Sequence, residues 1–593
     1  MIIEFLRTVV FFYAPGYVLS GLDRRLDAVE RFCAAVLAST LLYGSCALVL
    51  HAIGVQLGFD ALLGAVTFAT VVVYLSARKW RPEGLKRREA AGVSSGLDKF
   101  IVVLVLALAL RVALFELNPN PVVGDSYAHY SYARSFLTAE WFTTDVIDNY
   151  WTPYTRFPFP GNYRPPLQDF LHALGMVFNG VDYASAVSIN VFFGVFLVLG
   201  IYLLATRLFN HEVGWISGLL VSVNFFLISR SIELEPRVMV SFFVTMMVYF
   251  TVRGRGFSAY AALSAAFAYL THYTAVWFII AVVVYQAIRN KYQIFARENI
   301  MAALIFIVVL TPWFVRNYTL FGNPLYTTAR YVPFMTKWDE YQSLTPPTPT
   351  SYLERLGGGV LGVLKAVMYR LINMVTTYVP PPNKMQEYGF IWTMSNSVMN
   401  LVSLLAFTAA ILYILSNLRH VSGTLLFFVL AFSSFVGPLW TGYPKSDGVS
   451  VDFLSPLTPI FLAYAAAYIV GRRGVLLTVI VLSMVAQTAL LSGVRISERP
   501  DLKAMNMIGE TVPEGSIIMS EDGQRVNFYT GLLAVIPPYE GWDRIVETAR
   551  AQNVSYYIFT QSDGSLRDVD KEKLGGVGEL VWENERFSVY RLV

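Results

Sequence analysis

PNPVVGDSYAHYSYAR, residues Pro119 to Arg134, follows an apolar run that ends near Leu117. It sets one acid, Asp125, just beyond the mouth of a hydrophobic helix and surrounds it with tyrosines. Very hydrophobic chains rarely keep a long polar and aromatic segment between their spans without a use for it. Ionisable residues are costly next to a bilayer and are retained where they act. The stretch therefore reads as the heart of a site outside the membrane, with the remaining chain built around it.

The composition sets the frame for that reading. Of 593 residues, 55% are hydrophobic and 15% charged, whereas a soluble chain carries about a quarter charged residues. Long apolar runs recur throughout, so the fold class is an α-helical polytopic membrane protein. Candidate spans fall at about 2–20, 32–53, 61–77, 100–117, 184–206, 213–229, 238–252, 257–270, 273–288, 299–315, 389–416, 422–440, 453–471 and 474–492, about fourteen in all. The short pair 257–270 and 273–288 is either a hairpin or one long tilted helix. The first run lacks a basic leader and a small-residue cleavage site, so it is kept as a span. Cys33 and Cys46 share one expected helix and sit about 20 Å apart along it, too far for a disulfide.

The net charge of +4 says little about partners and carries no sign of a nucleic-acid ligand. Arginines and lysines gather instead in a few loops, among them Arg24–Arg25–Arg31, the run Arg78 to Arg88, Arg253–Arg255, Arg289–Arg297 and Arg472–Arg473. If all are cytoplasmic, the parity of spans holds along the chain, provided 257–288 is a hairpin and neither 166–180 nor 357–378 crosses fully. Asp125, Glu233, Glu235, Arg237 and His272 then meet at the same outer face, although they are far apart in sequence.

The outer loop 118–183 is rich in Tyr and Trp and is expected to lie on the membrane surface, with 166–180 as an interfacial helix. The outer loop 317–388 is Pro-rich and stiff, in the manner of a lid. Asn317 and Asn553 head N-x-S/T triplets. From about Arg499 the pattern changes to strands (Ser516–Met519, Ser555–Thr560, Phe587–Leu592) and a helix (Trp542–Gln552), a soluble α/β unit without a nucleotide fingerprint or metal spacing. The domains read as 1–99, three extra spans with a basic loop; 100–494, the membrane core with both outer loops; and 495–593, the outer soluble domain.

This order of features resembles the GT-C superfamily of polytopic glycosyltransferases, nearest the branch of protein O-mannosyltransferases and the aminoarabinose transferase of lipid A. Gly124–Asp125–Ser126 stands where that family has its acidic motif, and Arg164–Pro165–Pro166–Leu167 resembles its PPL segment. Thr311–Pro312–Trp313–Phe314–Val315–Arg316–Asn317 with Phe321–Gly322–Asn323–Pro324 is similar to a PW-RN-GNP segment, and Phe453–Leu454–Ser455–Pro456–Leu457 to a late Leu-Pro helix. Together these cover roughly 100–470. The chain departs from the pattern in its three extra N-terminal spans, and in Asp452, which stands where many relatives have an arginine. No WWDYG-type motif is present, which argues against transfer of a large glycan en bloc.

The resemblance implies an inverting transfer of a sugar, most simply a monosaccharide, from a polyprenyl phosphate to a protein, lipid or glycan acceptor. The active site would face outward from a prokaryotic cell membrane. It implies Asp125 as the base that takes the acceptor proton. Arg316, Arg237, Arg164, Tyr127 and Lys445 are the expected contacts to donor phosphate or substrate. Glu235, His272 and Asp148 are candidates for a second acid or a divalent-metal ligand, with Asp145 and Asp169, also near Asp125 in sequence, unranked beside Asp148 as the second acid, and no metal identity follows from sequence. Each has an ordinary reading beside it. Asp125 and Glu235 sit where helix caps sit, a lone His is more often structural, and Arg316 could anchor at the lipid interface. A transporter or flippase, or a non-catalytic binder of lipid-linked saccharides, is the rival class. A transporter predicts charges at the bilayer midplane and internal repeats, and the sequence shows few charges deep in its spans and no evident repeat.

Overall fold

A computed structural model describes residues 1–23, 25–79, 97–117, 119–120, 124–138, 140–154, 156–254, 258–289, 296–335, 338–378, 410–416, 426, 429–430, 456–470, 502–560, 569 and 571–592. Among these, six helices are long and apolar enough to cross a membrane: Ile2–Ser20, Ala28–Ala52, Phe59–Ala77, Phe100–Leu117, Tyr183–Leu208 and Arg297–Phe321. A seventh span is formed if His211–Val223 and Phe225–Ser231, bent by 60° at one break, are counted together. The bend has a local cause: the side chain of Asn224 leaves the first helix and accepts from the Leu227 N–H, capping the second. Shorter apolar helices are Ala259–Thr271, Ala275–Arg289 and Thr458–Val470. The expected spans near 474–492 and most of 389–416 and 422–440 lie outside the described residues, among which the count is six or seven.

The helices form because their apolar residues leave the backbone no partner but itself in a lipid environment. Phe68 is 73% and Val102 69% exposed, a surface suited to lipid. The axis of the bundle is Tyr183–Leu208, buried along nearly its whole length and flanked by the 211–223, 237–253, 167–179 and 97–117 helices. Ala259–Thr271 and Ala275–Arg289 are two helices separated by an extended His272, so the single tilted helix is excluded. At the end of the bundle far from Asp125, Arg253 binds Glu30 and the Arg25 carbonyl, and Arg289 reaches the Val252 carbonyl. Three of the basic loops thus meet at one face. Cys33 and Cys46 are both buried and free.

Two expectations for the first outer loop need correction. The segment Leu167–Asn179 is not interfacial: its residues are buried on nearly all sides, and at Gly175 an added Cβ would lie 2.3 Å from the Ser185 carbonyl oxygen. The helix is packed into the protein because only glycine allows that approach. Nor does the loop merely lie on the membrane. It carries three two-residue strands, β1 (Thr143–Thr144), β2 (Val146–Ile147) and β3 (Phe159–Pro160), with β1 and β3 paired antiparallel.

The C-terminal unit supplies β4 (Ile517–Met519), β5 (Leu533–Val535), β6 (Tyr556–Thr560), β7 (Gly578–Glu583) and β8 (Phe587–Leu592). The sheet order is β2-β5-β4-β6-β8-β7, parallel from β2 to β6 and antiparallel beyond. Its first strand therefore comes from the outer loop. The Ala534 N–H donates to the Asp145 carbonyl and the Ile536 N–H to the Ile147 carbonyl, both at 2.9 Å. The apolar pair Val146–Ile147 covers the β5 edge, which would otherwise expose unpaired backbone groups, and Ile147 joins a core with Phe159, Met519 and Val535. The α/β domain expected at 495–593 is thus completed by a strand 388 positions upstream of its partner, Val146 pairing with Ala534.

Replacing Ile147 by Ala should cost about 2–5 kcal/mol of stability in this sheet. The measurement is the thermal midpoint in detergent together with protease release of the C-terminal domain. An unchanged midpoint and unchanged release would contradict the shared core.

Candidate active site

Gly124 and Asp125 open a helix, Gly124–Ser135, the next helix in the chain after 97–117. An acid in the first turn suits the positive helix end, but its carboxylate is used elsewhere. Arg164 Nη2 donates to Asp125 Oδ2 at 2.6 Å. Arg164 Nη1 donates to His129 Nε2, one helical turn from Asp125. A guanidinium can only donate, so Nε2 is the acceptor and the ring proton sits on Nδ1. That nitrogen then donates to Asp169 Oδ1 at 2.6 Å. The result is a chain of four groups, Asp169, His129, Arg164 and Asp125. His129 and Asp169 are 3% and 1% exposed, while Arg164 and Asp125 open outward at 18% and 39%.

The electrostatics follow from this chain. Burial alone would raise the Asp125 carboxyl, but the adjacent Arg164 charge and its hydrogen bond hold it well below the usual carboxylate range. Arg164 is raised in turn. Asp169, with little but His129 to offset its burial, is raised. Burial together with the nearby Arg164 and Arg237 charges brings His272 down to about 3, so it is neutral at physiological pH.

A cavity of about 440 Å³ opens on this chain. Its floor is the membrane part: Asp125 and His129 from the helix, Tyr163 and Arg164 from the segment after β3. Its wall is Asp148, which follows β2, and Tyr341 from the second outer loop. Its roof is the C-terminal domain, through Asp522, Gln524 and Arg586. The roof is fastened by Phe528, whose ring lies 4.8 Å from Tyr130 and 5.3 Å from Tyr127, and by Tyr150 Oη donating to the Ile536 carbonyl at 2.6 Å.

The expected residues divide. Asp125, Arg164 and Asp148 share the cavity. Burial lifts the Asp148 carboxyl to about 6 against the Asn149 amide (3.0 Å), and Gln524 Nε2 donates to its other oxygen at 3.4 Å. Tyr127 lies beside the roof helix rather than in the cavity lining. Glu235 is fully buried and held by Arg230 (3.0 Å) and Arg237, whose charges keep it ionised against its burial. Its turn is stapled to the acidic helix, since Ser126 Oγ donates to Glu233 Oε2 at 2.9 Å and receives the Leu234 N–H. His272 Nδ1 is engaged with the Oγ1 (2.7 Å) and N–H of Thr274.

Arg316 does not face the cavity. It donates to the Gly161 carbonyl at 2.8 Å and reaches the Phe142 carbonyl, with its guanidinium over the rings of Trp313 and Phe142. Asn317 beside it is buried and donates to the Tyr326 carbonyl, which removes it as a modification site. Gly322 ends the helix in the left-handed conformation at φ 69°. The PW-RN-GNP stretch is therefore a clamp under the first outer loop. Lys445 lies outside the described residues. Among the described residues no three His, Cys, Asp or Glu side chains could together hold a metal.

His129 is not singled out as a site residue from sequence, and Asp169 enters there only beside Asp145 and Asp148 as an unranked second acid. His129 carries a signal, the i, i+4 spacing from Asp125 on one helix face; Asp169 is forty residues away and carries none. Arg111 was also missed: it is fully buried within the 97–117 helix, donating to Ser231 Oγ at 3.0 Å and to the Ala107 carbonyl at 2.9 Å.

Residues 163–315 match the family described as dolichyl-phosphate-mannose-protein mannosyltransferase. The fold is similar to that of ArnT from Cupriavidus metallidurans bound to undecaprenyl phosphate, at 14% identity and a TM-score of 0.52, covering 84% of this chain and 98% of that one. The archaeal oligosaccharyltransferase AglB from Archaeoglobus fulgidus also matches, at 14% identity and a TM-score of 0.47 over 78% of this chain and 69% of that one. No curated protein sequence matches. One segment of the chain thus matches the mannosyltransferase family model, the fold is similar to that of ArnT, and the long apolar helices make the chain an integral membrane protein.

Because Asp125 has its proton affinity lowered, its share of stability is complete above the ordinary carboxylate range and is lost only as pH falls below it. Asp125→Asn should therefore lower the thermal midpoint by the same amount at pH 5.5 and pH 8. A penalty at pH 8 that disappears at pH 5.5 would contradict the Arg164 pairing.

Proposed function

We propose that the cavity transfers a sugar from a polyprenyl-phosphate donor to a hydroxyl or amide of a protein, lipid or glycan acceptor on the extracytoplasmic face. The observation that carries this reading is the Asp125–Arg164 pair, placed in a cavity at the mouth of a membrane helix and roofed by a polar domain. A lipid-linked donor needs such a site, since its chain stays in the bilayer while its headgroup meets water. The likeness to a fold seen with undecaprenyl phosphate agrees with that donor class.

In the reaction the acceptor oxygen bonds to the anomeric carbon as the bond from that carbon to the phosphate oxygen breaks. The electron pair leaves with the polyprenyl phosphate, and the acceptor proton goes to a carboxylate. Asp125, always ionised beside Arg164, stands at the reaction centre and orients the acceptor. Arg164 has N–H groups beyond the two given to Asp125 and His129, and these suit the anionic leaving group. The clustering of Arg25, Arg253 and Arg289 at the opposite end supports the outward orientation of the site.

The test is transfer from labelled polyprenyl-phosphate monosaccharides in native membranes. Wild type should transfer, and Asp125→Asn should lose at least about 100-fold in rate at unchanged expression. Full activity in Asp125→Asn would remove that residue from the reaction. Donor binding without transfer by wild type would favour the transporter or binding protein.

A further inference from the structure

We infer that Asp148, rather than Asp125, accepts the acceptor proton, and that the C-terminal domain is the device that holds it in the cavity. This rests on the reading of the cavity as a glycosyl-transfer site and divides the work between its two carboxylates.

The geometry separates them. Asp125 is tied at 2.6 Å to a guanidinium that is itself oriented by His129 and Asp169. An acid in that position is an anchor: its negative charge is already matched and a proton would break the pair. Asp148 lines the same cavity, and the hydrogen-bond donors to it are neutral: its own backbone N–H and two side-chain amides. Asn149 Nδ2 donates to one oxygen at 3.0 Å and Gln524 Nε2 to the other at 3.4 Å. Neutral donors orient a carboxylate without cancelling its charge, so it keeps its appetite for a proton. The groups facing Asp148 come from every side. Asp125 and Tyr132 belong to the acidic helix, Tyr163 and Arg164 to the segment after β3, and Tyr341 to the second outer loop. Glu521, Asp522 and Arg586 face the cavity from the roof. Burial and the Asp125 charge lift the carboxyl, the Asn149 amide, its own backbone N–H and Arg164 oppose them, and the balance is about 6. A base poised there is ionised at neutral pH yet basic enough to take a proton in the transition state.

The placement of Asp148 is a product of the domain arrangement. The residue directly follows β2, whose backbone is hydrogen-bonded to β5. On its other side Asn149 Nδ2 also donates to Tyr341 Oη at 3.0 Å. Gln524 stands on the same helix as Phe528, which packs on the acidic helix. The strand pairing and Gln524 together fix where the carboxylate points, which makes Gln524 a positioning residue. The step balances: the acceptor oxygen bonds to the anomeric carbon, the phosphate departs with the bonding pair, the proton moves to Asp148 and is later released to water.

The experiment is a pH profile of kcat/KM for sugar transfer in native membranes with labelled polyprenyl-phosphate monosaccharide, for wild type, Asp148→Asn, Asp125→Asn and Gln524→Leu. Wild type is expected to lose activity below about pH 6. Asp148→Asn should fall at least about 100-fold, with the residual rate flat across that range and donor binding retained. Asp125→Asn should be slow yet keep an acid limb, and Gln524→Leu, which removes a donor to the carboxylate, should move the limb upward. A thermal measurement gives an independent reading. Burying Asp148 costs stability as pH rises above the ordinary carboxylate value, fully so above its raised folded value, so Asp148→Asn should raise the midpoint clearly more at pH 7.5 than at pH 4.5. Persistence of the wild-type acid limb in Asp148→Asn, or its loss in Asp125→Asn, would overturn the assignment and leave the transfer reading intact. Absence of transfer by wild type from any such donor would overturn both.

Discussion

The arrangement depends on one guanidinium. Arg164 brings a positive charge to a largely enclosed place above the membrane helices, where it is tolerable only with a negative partner and hydrogen bonds in good geometry. Asp125 supplies the charge and His129 the second acceptor, with Asp169 fixing the histidine tautomer from behind. Three segments meet through this contact: the acidic helix, the turn after β3 and the buried helix Leu167–Asn179. Ser126 adds a fourth by binding the Glu233 turn. The electrostatic chain therefore organises the floor of the cavity as well as lining it.

The second constraint is the unsatisfied edge of a sheet. Strand β5 needs a neighbour, and the outer loop provides two residues of backbone. That short pairing makes the C-terminal domain part of the membrane core's outer surface. It also explains why so many polar groups of the loop are spoken for by distant partners, as with Tyr150 at Ile536 and Asn149 at Tyr341. Arg316 performs the matching task from below, clamping the Phe142 and Gly161 carbonyls so that the β1–β3 segment carries Arg164 at a fixed height.

Much of this was legible in the chain, and unevenly. The helices at 183–208, 237–253 and 297–321 follow from apolar length, and β4, β6, β8 and the Trp542 helix appear within a residue or two of their patterns. The meeting of Asp125 with the Glu233–Arg237 turn followed from counting loops by charge. The sequence misjudged Leu167–Asn179, because a short apolar helix looks the same whether lipid or protein covers it. It placed Arg316 at a phosphate because a guanidinium suits phosphate and main-chain carbonyls alike. Strand β2 was invisible, since two residues are too few for any period to show.

The sequence by itself determined the membrane class, the position of several spans, the acidic segment that follows the 97–117 helix and the α/β character of the C-terminal end. Those features are written in local hydrophobicity and short motifs, which act on neighbours along the chain. Only the tertiary structure decided which acid is paired and which is held by amides, that Arg164 rather than Arg316 faces the cavity, and that a distant domain closes it. Burial and charge pairing are set by groups tens to hundreds of residues away. The same aspartate is an anchor or a base according to which of them the fold brings near.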